Sequence, residues 1–167
     1  MEQAISLQQE KANKHFISLL LFLTICFSVA GAGAVLTNTS VSSWYLTINK
    51  PSWTPPNWLF GPVWTSLYFM MALAAWLIWR KVGSLKSLPL ALFGLQLFLN
   101  LIWSGLFFTL QNPKLAFVEI VFLWLSILAT LISFWRVRLV AGLLLLPYIL
   151  WVGYAAVLNF TIWKINQ

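Results

Sequence analysis

Apolar residues run along this chain in five long stretches, about 16 to 36, 58 to 79, 88 to 108, 115 to 135 and 140 to 163, separated by short polar breaks. Each is close to the roughly 20 residues with which an α-helix crosses the hydrocarbon core of a bilayer. Backbone polar groups find no water in lipid, so consecutive stretches of this kind pack as helices. The pattern predicts an all-α integral membrane protein: a single domain over 16 to 163 built as a five-transmembrane-helix bundle, with a polar tail over 1 to 15 and a short tail over 164 to 167. The first stretch, with Lys11 and Lys14 ahead of it and Ala30-Gly31-Ala32-Gly33-Ala34 inside it, also imitates a cleavable signal peptide. Its apolar character continues through Val35 and Leu36, which makes it a full span whose small residues let a neighbouring helix approach closely.

The break between the first two spans is of another kind. From Lys50 to Trp64 the chain reads Lys-Pro-Ser-Trp-Thr-Pro-Pro-Asn-Trp-Leu-Phe-Gly-Pro-Val-Trp, with four prolines and three tryptophans. Pro51 and Pro55 keep Lys50 and Thr54 out of the helical region, and Pro55-Pro56 favours an extended backbone. The long Pro/Trp-rich loop between helices 1 and 2 therefore reads as a stiff aromatic lid. Asn57 is placed to cap a helix beginning at Trp58, while Pro62, which leaves the Trp58 carbonyl unpaired, delays that helix to near Gly61 or kinks it there.

Composition agrees with a membrane protein: 61% of side chains are hydrophobic and 8% charged, with a mean hydropathy of +0.87. The net charge of +7 does not indicate nucleic acid, because the basic residues lie in the gaps between spans rather than on one face. Lys11, Lys14, Arg80, Lys81, Lys86, Arg136 and Arg138 fall on the side of the N-terminus, against Lys50, Lys114 and Lys164 on the other. That bias predicts a cytoplasmic N-terminus, with the lid and the C-terminus across the membrane. An odd number of spans with no similarity between halves speaks against an inverted-repeat transporter. The single cysteine, Cys26, lies inside the first span and reads as a buried thiol.

Of eleven tryptophans, those near span ends belong to an interfacial belt, and Trp53 to the lid. Trp64, Trp103, Trp124 and Trp151 lie deeper. Residues three, four and seven apart share a helix face, and on that spacing four stripes emerge: Trp64, Tyr68 and Met71; Gln96, Asn100, Trp103 and Phe107; Glu119, Phe122, Ser126 and Thr130; Tyr148, Trp151, Ala155 and Asn159. At about 1.5 Å per residue, Trp64, Asn100, Trp103, Glu119 and Asn159 lie roughly 6 to 12 Å below the lid-side end of their spans. The stripes are expected to converge on one cavity roofed by residues 37 to 57, although amides in lipid also serve simply to join helices. Glu119 is the only acid within the spans, which makes it a candidate for a ligand or relay role or for a helix-start electrostatic role beside Lys114. The sole histidine, His15, lies in the tail, so no metal site is expected and an iron tetrapyrrole finds no histidine axial ligand in the spans.

Trp44-Tyr45, the Lys50-Pro-Ser-Trp-Thr-Pro-Pro-Asn-Trp string, Gly61-Pro-Val-Trp64, the run from Gln96 through Asn100 to Trp103-Ser104, and Pro147-Tyr-Ile-Leu-Trp151 with Leu158-Asn159 together closely resemble the TspO/MBR family of tryptophan-rich sensory and translocator proteins. The resemblance covers almost everything after the N-terminal tail. It implies a five-helix protein, often a homodimer, that needs no cofactor and binds porphyrin, haem-type tetrapyrroles, sterols or other lipids under the first loop. By position it implies a site of Trp44, Trp64, Tyr68, Gln96, Asn100, Trp103, Glu119, Trp151 and Ala155, to which Trp53 of the lid motif is added as a further candidate. It further implies that Trp64 and Trp151 are the candidates for light-dependent porphyrin breakdown, as indole electron donors. Glu119 stands where the family often has Asp, and Phe160 stands where the sterol pattern of animal members has Tyr. The function expected is that of a receptor-like tetrapyrrole-binding protein of a bacterial cell membrane, in stress or tetrapyrrole regulation; the alternatives are a porphyrin-degrading catalyst and a transporter of porphyrins or sterols.

Overall fold

The computed structural model describes the backbone of residues 1–167 and every side chain except those of Glu2, Ala4, Ile5, Leu7 and Lys11. Helix α1 spans Glu2–Asn38, a four-residue turn α2 spans Trp44–Thr47, and helices α3, α4 and α5 span Asn57–Val82, Leu88–Ser104 and Pro113–Val137. A short α6, Leu139–Leu143, leads into α7, Leu146–Ile165. Five helical segments are long and apolar enough to cross a membrane, with α6 and α7 together forming the fifth. The chain is thus an all-α, multi-pass membrane protein.

Three boundaries differ from the sequence expectation, each for a local reason. The polar tail is helical, as an extension of α1. Helix α3 begins at Asn57 itself, with extended Pro56 at its N-cap and Pro62 accommodated inside. Asn57 is therefore the first helical residue and not a cap. The fifth span is interrupted at Leu144 and Leu145, because Pro147 cannot donate to the turn before it and instead occupies the first turn of a new helix. Within the expected third span the geometry changes after Ser104 to a π-helical turn over Gly105–Thr109, closed by Leu110 N–H donating to the Gly105 carbonyl at 2.8 Å. Gln111 then takes a left-handed φ of 51°, and Asn112 caps α5 by accepting from Leu115 N–H at 3.0 Å.

Helix α3 runs through the core, where Met71, Ala72, Ala74, Ala75 and Ile78 have no exposed surface. Its alanines let α1 approach through Phe22 and buried Cys26. Far from the lid, Trp76 Nε1–H donates to the His15 carbonyl at 3.0 Å and to Ser18 Oγ at 3.2 Å, joining α1 to α3. Tight packing also closes the α5–α6 corner, where Gly142 lies against the backbone of Trp135.

The lid is fastened at several points. Lys50 Nζ folds back to donate to the Tyr45 carbonyl at 2.5 Å and the Ile48 carbonyl at 3.2 Å, and sits over the Tyr45 ring. Ser40 Oγ–H donates to the Phe108 carbonyl at 2.5 Å and accepts from Gln111 Nε2 at 3.1 Å. Tyr154 O–H donates to the Trp53 carbonyl at 2.9 Å. At the end of α7, Asn166 Oδ1 accepts from Asn49 N–H and Asn166 Nδ2 donates to the Asn49 carbonyl, each at 2.9 Å. Each such bond contributes about 1 kcal/mol, so Asn166→Ala is expected to raise hydrogen exchange at the Asn49 amide about fivefold, while amides of the α3 core stay unchanged.

Candidate functional site

Beneath the lid the bundle encloses a cavity of about 660 Å³, within the usual span of roughly 300 to 1,000 Å³ for small-molecule sites. Its walls follow from helical spacing. Helix α3 sends in Trp64 and Tyr68, α4 sends in Asn100, Trp103 and Ser104, and α7 sends in Trp151, Ala155 and Asn159. The π-helical turn adds Phe107 and Phe108, and the lid adds Tyr45 from above. Burial, and secondarily the neighbouring Tyr154, push the Tyr45 phenol above its ordinary value, so it remains neutral.

The rings form a continuous aromatic surface. Trp64 lies 5.7 Å from Tyr68 and 6.3 Å from Tyr148 between centroids. Trp103 stacks on Phe107 at 5.3 Å, and Trp151 stacks on Tyr154 at 5.8 Å. Such walls suit a flat conjugated ring, which they can contact face-on and edge-on. Among the described residues the lining holds no lysine, arginine, histidine or acid, and no group of His, Cys, Asp or Glu side chains is arranged to hold a metal.

The deep polar groups bond to one another. Tyr68 O–H donates to Asn100 Oδ1 at 2.6 Å, Asn100 Nδ2 donates to Tyr148 Oη at 3.0 Å, and Tyr148 O–H donates to Gln96 Oε1 at 2.8 Å. A second chain links Trp103 Nε1–H to Asn159 Oδ1 at 3.1 Å and Asn159 Nδ2 to the Pro113 carbonyl at 2.7 Å. Helices α3, α4, α5 and α7 are thereby cross-linked through groups that would be costly to leave unpaired in a dry interior.

The sequence-predicted residues divide into two groups. Trp64, Tyr68, Asn100, Trp103, Trp151 and Ala155 are brought together in the cavity wall. Gln96 lies one layer behind, against Tyr148, and Trp44 stands edge-on to the lining Phe107 at 5.7 Å. Trp53 is on the lid, 45% exposed, with its ring 5.6 Å from that of Tyr154. Glu119 is buried, and neither carboxylate oxygen has a hydrogen-bond partner among the described residues, Lys114 included.

The stripe of Glu119, Phe122, Ser126 and Thr130 does not reach the cavity. Helix α5 packs against α4 and α7, contributes no lining residue and turns Phe122 outward. The wall expected from it is supplied by α1 through Phe27, Ala30, Gly33, Ala34 and Thr37. Ala30, Gly33, Ala34 and Thr37 already share a helical face in the sequence, but small residues signal close approach as readily as open space.

A groove open to the outside runs between α3 and α7, lined by Leu59, Val63, Met70, Pro147 and Leu150 among others. Among the described residues, Trp151 is the one side chain that lines both this groove and the cavity.

Comparison with known proteins places the chain among others of its kind. The TspO/MBR family model matches residues 22–164. The chain is 44% identical to the tryptophan-rich protein TspO of Chlorobaculum tepidum over 158 residues, covering 92% of this chain and 99% of the relative. It is 38% identical to protein CrtK of Rhodobacter capsulatus, covering 90% of this chain and 95% of the relative. Against the translocator protein of Homo sapiens it is 35% identical, covering 74% and 75%.

Proposed function

Because this chain belongs to the TspO/MBR family, we propose that it is a receptor-like membrane protein that binds protoporphyrin or haem-type tetrapyrroles in the cavity under its lid, in stress or tetrapyrrole regulation. The observation that carries this reading is an uncharged cavity of about 660 Å³ whose walls present Trp64, Tyr68, Trp103, Phe107 and Trp151. A flat macrocycle needs stacking area and shape, and an aromatic cavity supplies both without an axial ligand. The same reading includes a homodimer in a bacterial cell membrane with its N-terminus in the cytoplasm. Of the expected site residues, we assign direct contact to the six in the wall, support to Gln96 and Trp44, lid closure to Trp53, and a packed position outside the cavity to Glu119.

The test is quenching of tryptophan fluorescence by protoporphyrin in detergent, with binding confirmed by ligand absorbance. In the Trp64→Phe, Trp151→Phe double variant the midpoint is expected to weaken at least about tenfold, roughly 1.4 kcal/mol. Absence of saturable binding by the wild type would sink the tetrapyrrole reading and leave a sterol or another lipid as the ligand.

A second reading, light-dependent porphyrin breakdown, is favoured by Trp64 and Trp151 both standing in the wall of one cavity. It requires illuminated product formation that disappears in the same double variant; unchanged products there count against it.

A further inference from the structure

The cavity has a polarity along its depth. At its floor, Tyr68 and Asn100 are bonded to each other and onward to Tyr148. At its mouth stand Asn38, the last residue of α1, Asn57, the first of α3, and Ser42 of the lid, all lining and all exposed. No protein group among the described residues engages these three side chains, whereas Asn100 and Asn159 are held by neighbours. Tyr68 follows Asn57 by eleven positions along α3, about 16 Å along the axis, so the free hydrogen-bonding groups and the saturated floor pair lie at opposite ends.

A carboxylate cannot follow a ring to such a floor. Among the described residues the lining offers no cation to pair with it, and burying an unpaired ion costs several kcal/mol. Building on the tetrapyrrole reading, we infer that the cavity accepts an acidic planar ligand in one orientation only, with its apolar edge down on Tyr68 and Asn100 and its carboxylate edge held at the water by Asn38, Ser42 and Asn57. Those three residues are specificity determinants for the acidic edge, and the aromatic walls are indifferent to it.

Protoporphyrin and its dimethyl ester separate the two contributions, because they share a ring and differ only in the acids. Both are titrated into the wild type and into two exposed-site double variants, Asn38→Asp with Asn57→Asp, and Asn38→Lys with Asn57→Lys, at low ionic strength. The ratio of acid to ester affinity is expected to be at least about tenfold higher in the lysine pair than in the aspartate pair, since charges at the mouth act on the acid alone. A smaller separation overturns the assignment while leaving tetrapyrrole binding intact. Wild type that binds neither porphyrin overturns both.

Discussion

Ala155→Trp is expected to abolish protoporphyrin binding while leaving the protein folded. Ala155 projects from α7 into the cavity, so an indole there occupies space that protein atoms do not fill. The usual penalty for enlarging a core residue, forced rotamers and shifted backbone, is therefore small, and new contacts with the aromatic wall offset it. The ligand meets a different situation, because its ring and the indole require the same volume. Affinity is expected to fall at least about a hundredfold, roughly 2.7 kcal/mol, with unchanged helicity and an unfolding midpoint equal to or above that of the wild type. Val157→Trp, at a neighbouring position that is 58% exposed, is the matched control and should bind as the wild type does. Equal binding by both variants would place the ligand elsewhere.

The largest loss of stability is expected from Gly142→Val. A Cβ at Gly142 would lie 2.9 Å from both the Cα and the Cβ of Trp135, and backbone cannot swing aside as a side-chain tip can. The corner between α5 and α6 would have to open, which displaces Ala141 and Leu145 from the core they share with Phe134. Overpacking of this kind costs about 1 to 3 kcal/mol and occasionally more, and valine adds two methyl groups to the clash. Thermal unfolding in detergent should fall clearly below the wild type. Gly94→Ala provides the contrast: a Cβ there meets nothing within 4 Å, and alanine is the better helix former by about 1 kcal/mol. Loss at Gly94 as large as at Gly142 would show that the effect belongs to glycine in general rather than to the corner.

How much of this was legible in the sequence depends on which physical signal each feature carries. The five spans were, because twenty apolar residues in a row have few other solutions in a bilayer. Six members of the expected site were as well, because Trp64 and Tyr68, Asn100 and Trp103, and Trp151 and Ala155 are each three or four residues apart on helices that face one another. The α1 wall was not, since Ala30, Gly33 and Ala34 line the cavity by being small, and periodicity detects side chains rather than the room they leave. Glu119 stands outside the cavity lining, for the opposite reason. Its polarity suggested the cavity, yet it is buried where α5 packs with α4 and α7, and pattern alone does not distinguish a lining face from a packed one. For Pro62 the expectation is a helix delayed to near Gly61 or kinked there, and the delay does not occur, since α3 runs from Asn57 with Pro62 inside it.

Trp151 has a consequence that reaches beyond the cavity. As a side chain lining both the cavity and the α3–α7 groove, it is a two-sided partition, and any displacement of its indole is registered in both compartments. Thermodynamic reciprocity then applies: if a ligand in the cavity shifts the indole, an acyl chain in the groove that favours one indole position changes ligand affinity by the same factor with which the ligand changes that of the chain. Under those two conditions the composition of the surrounding lipid would enter the binding equilibrium through this one ring.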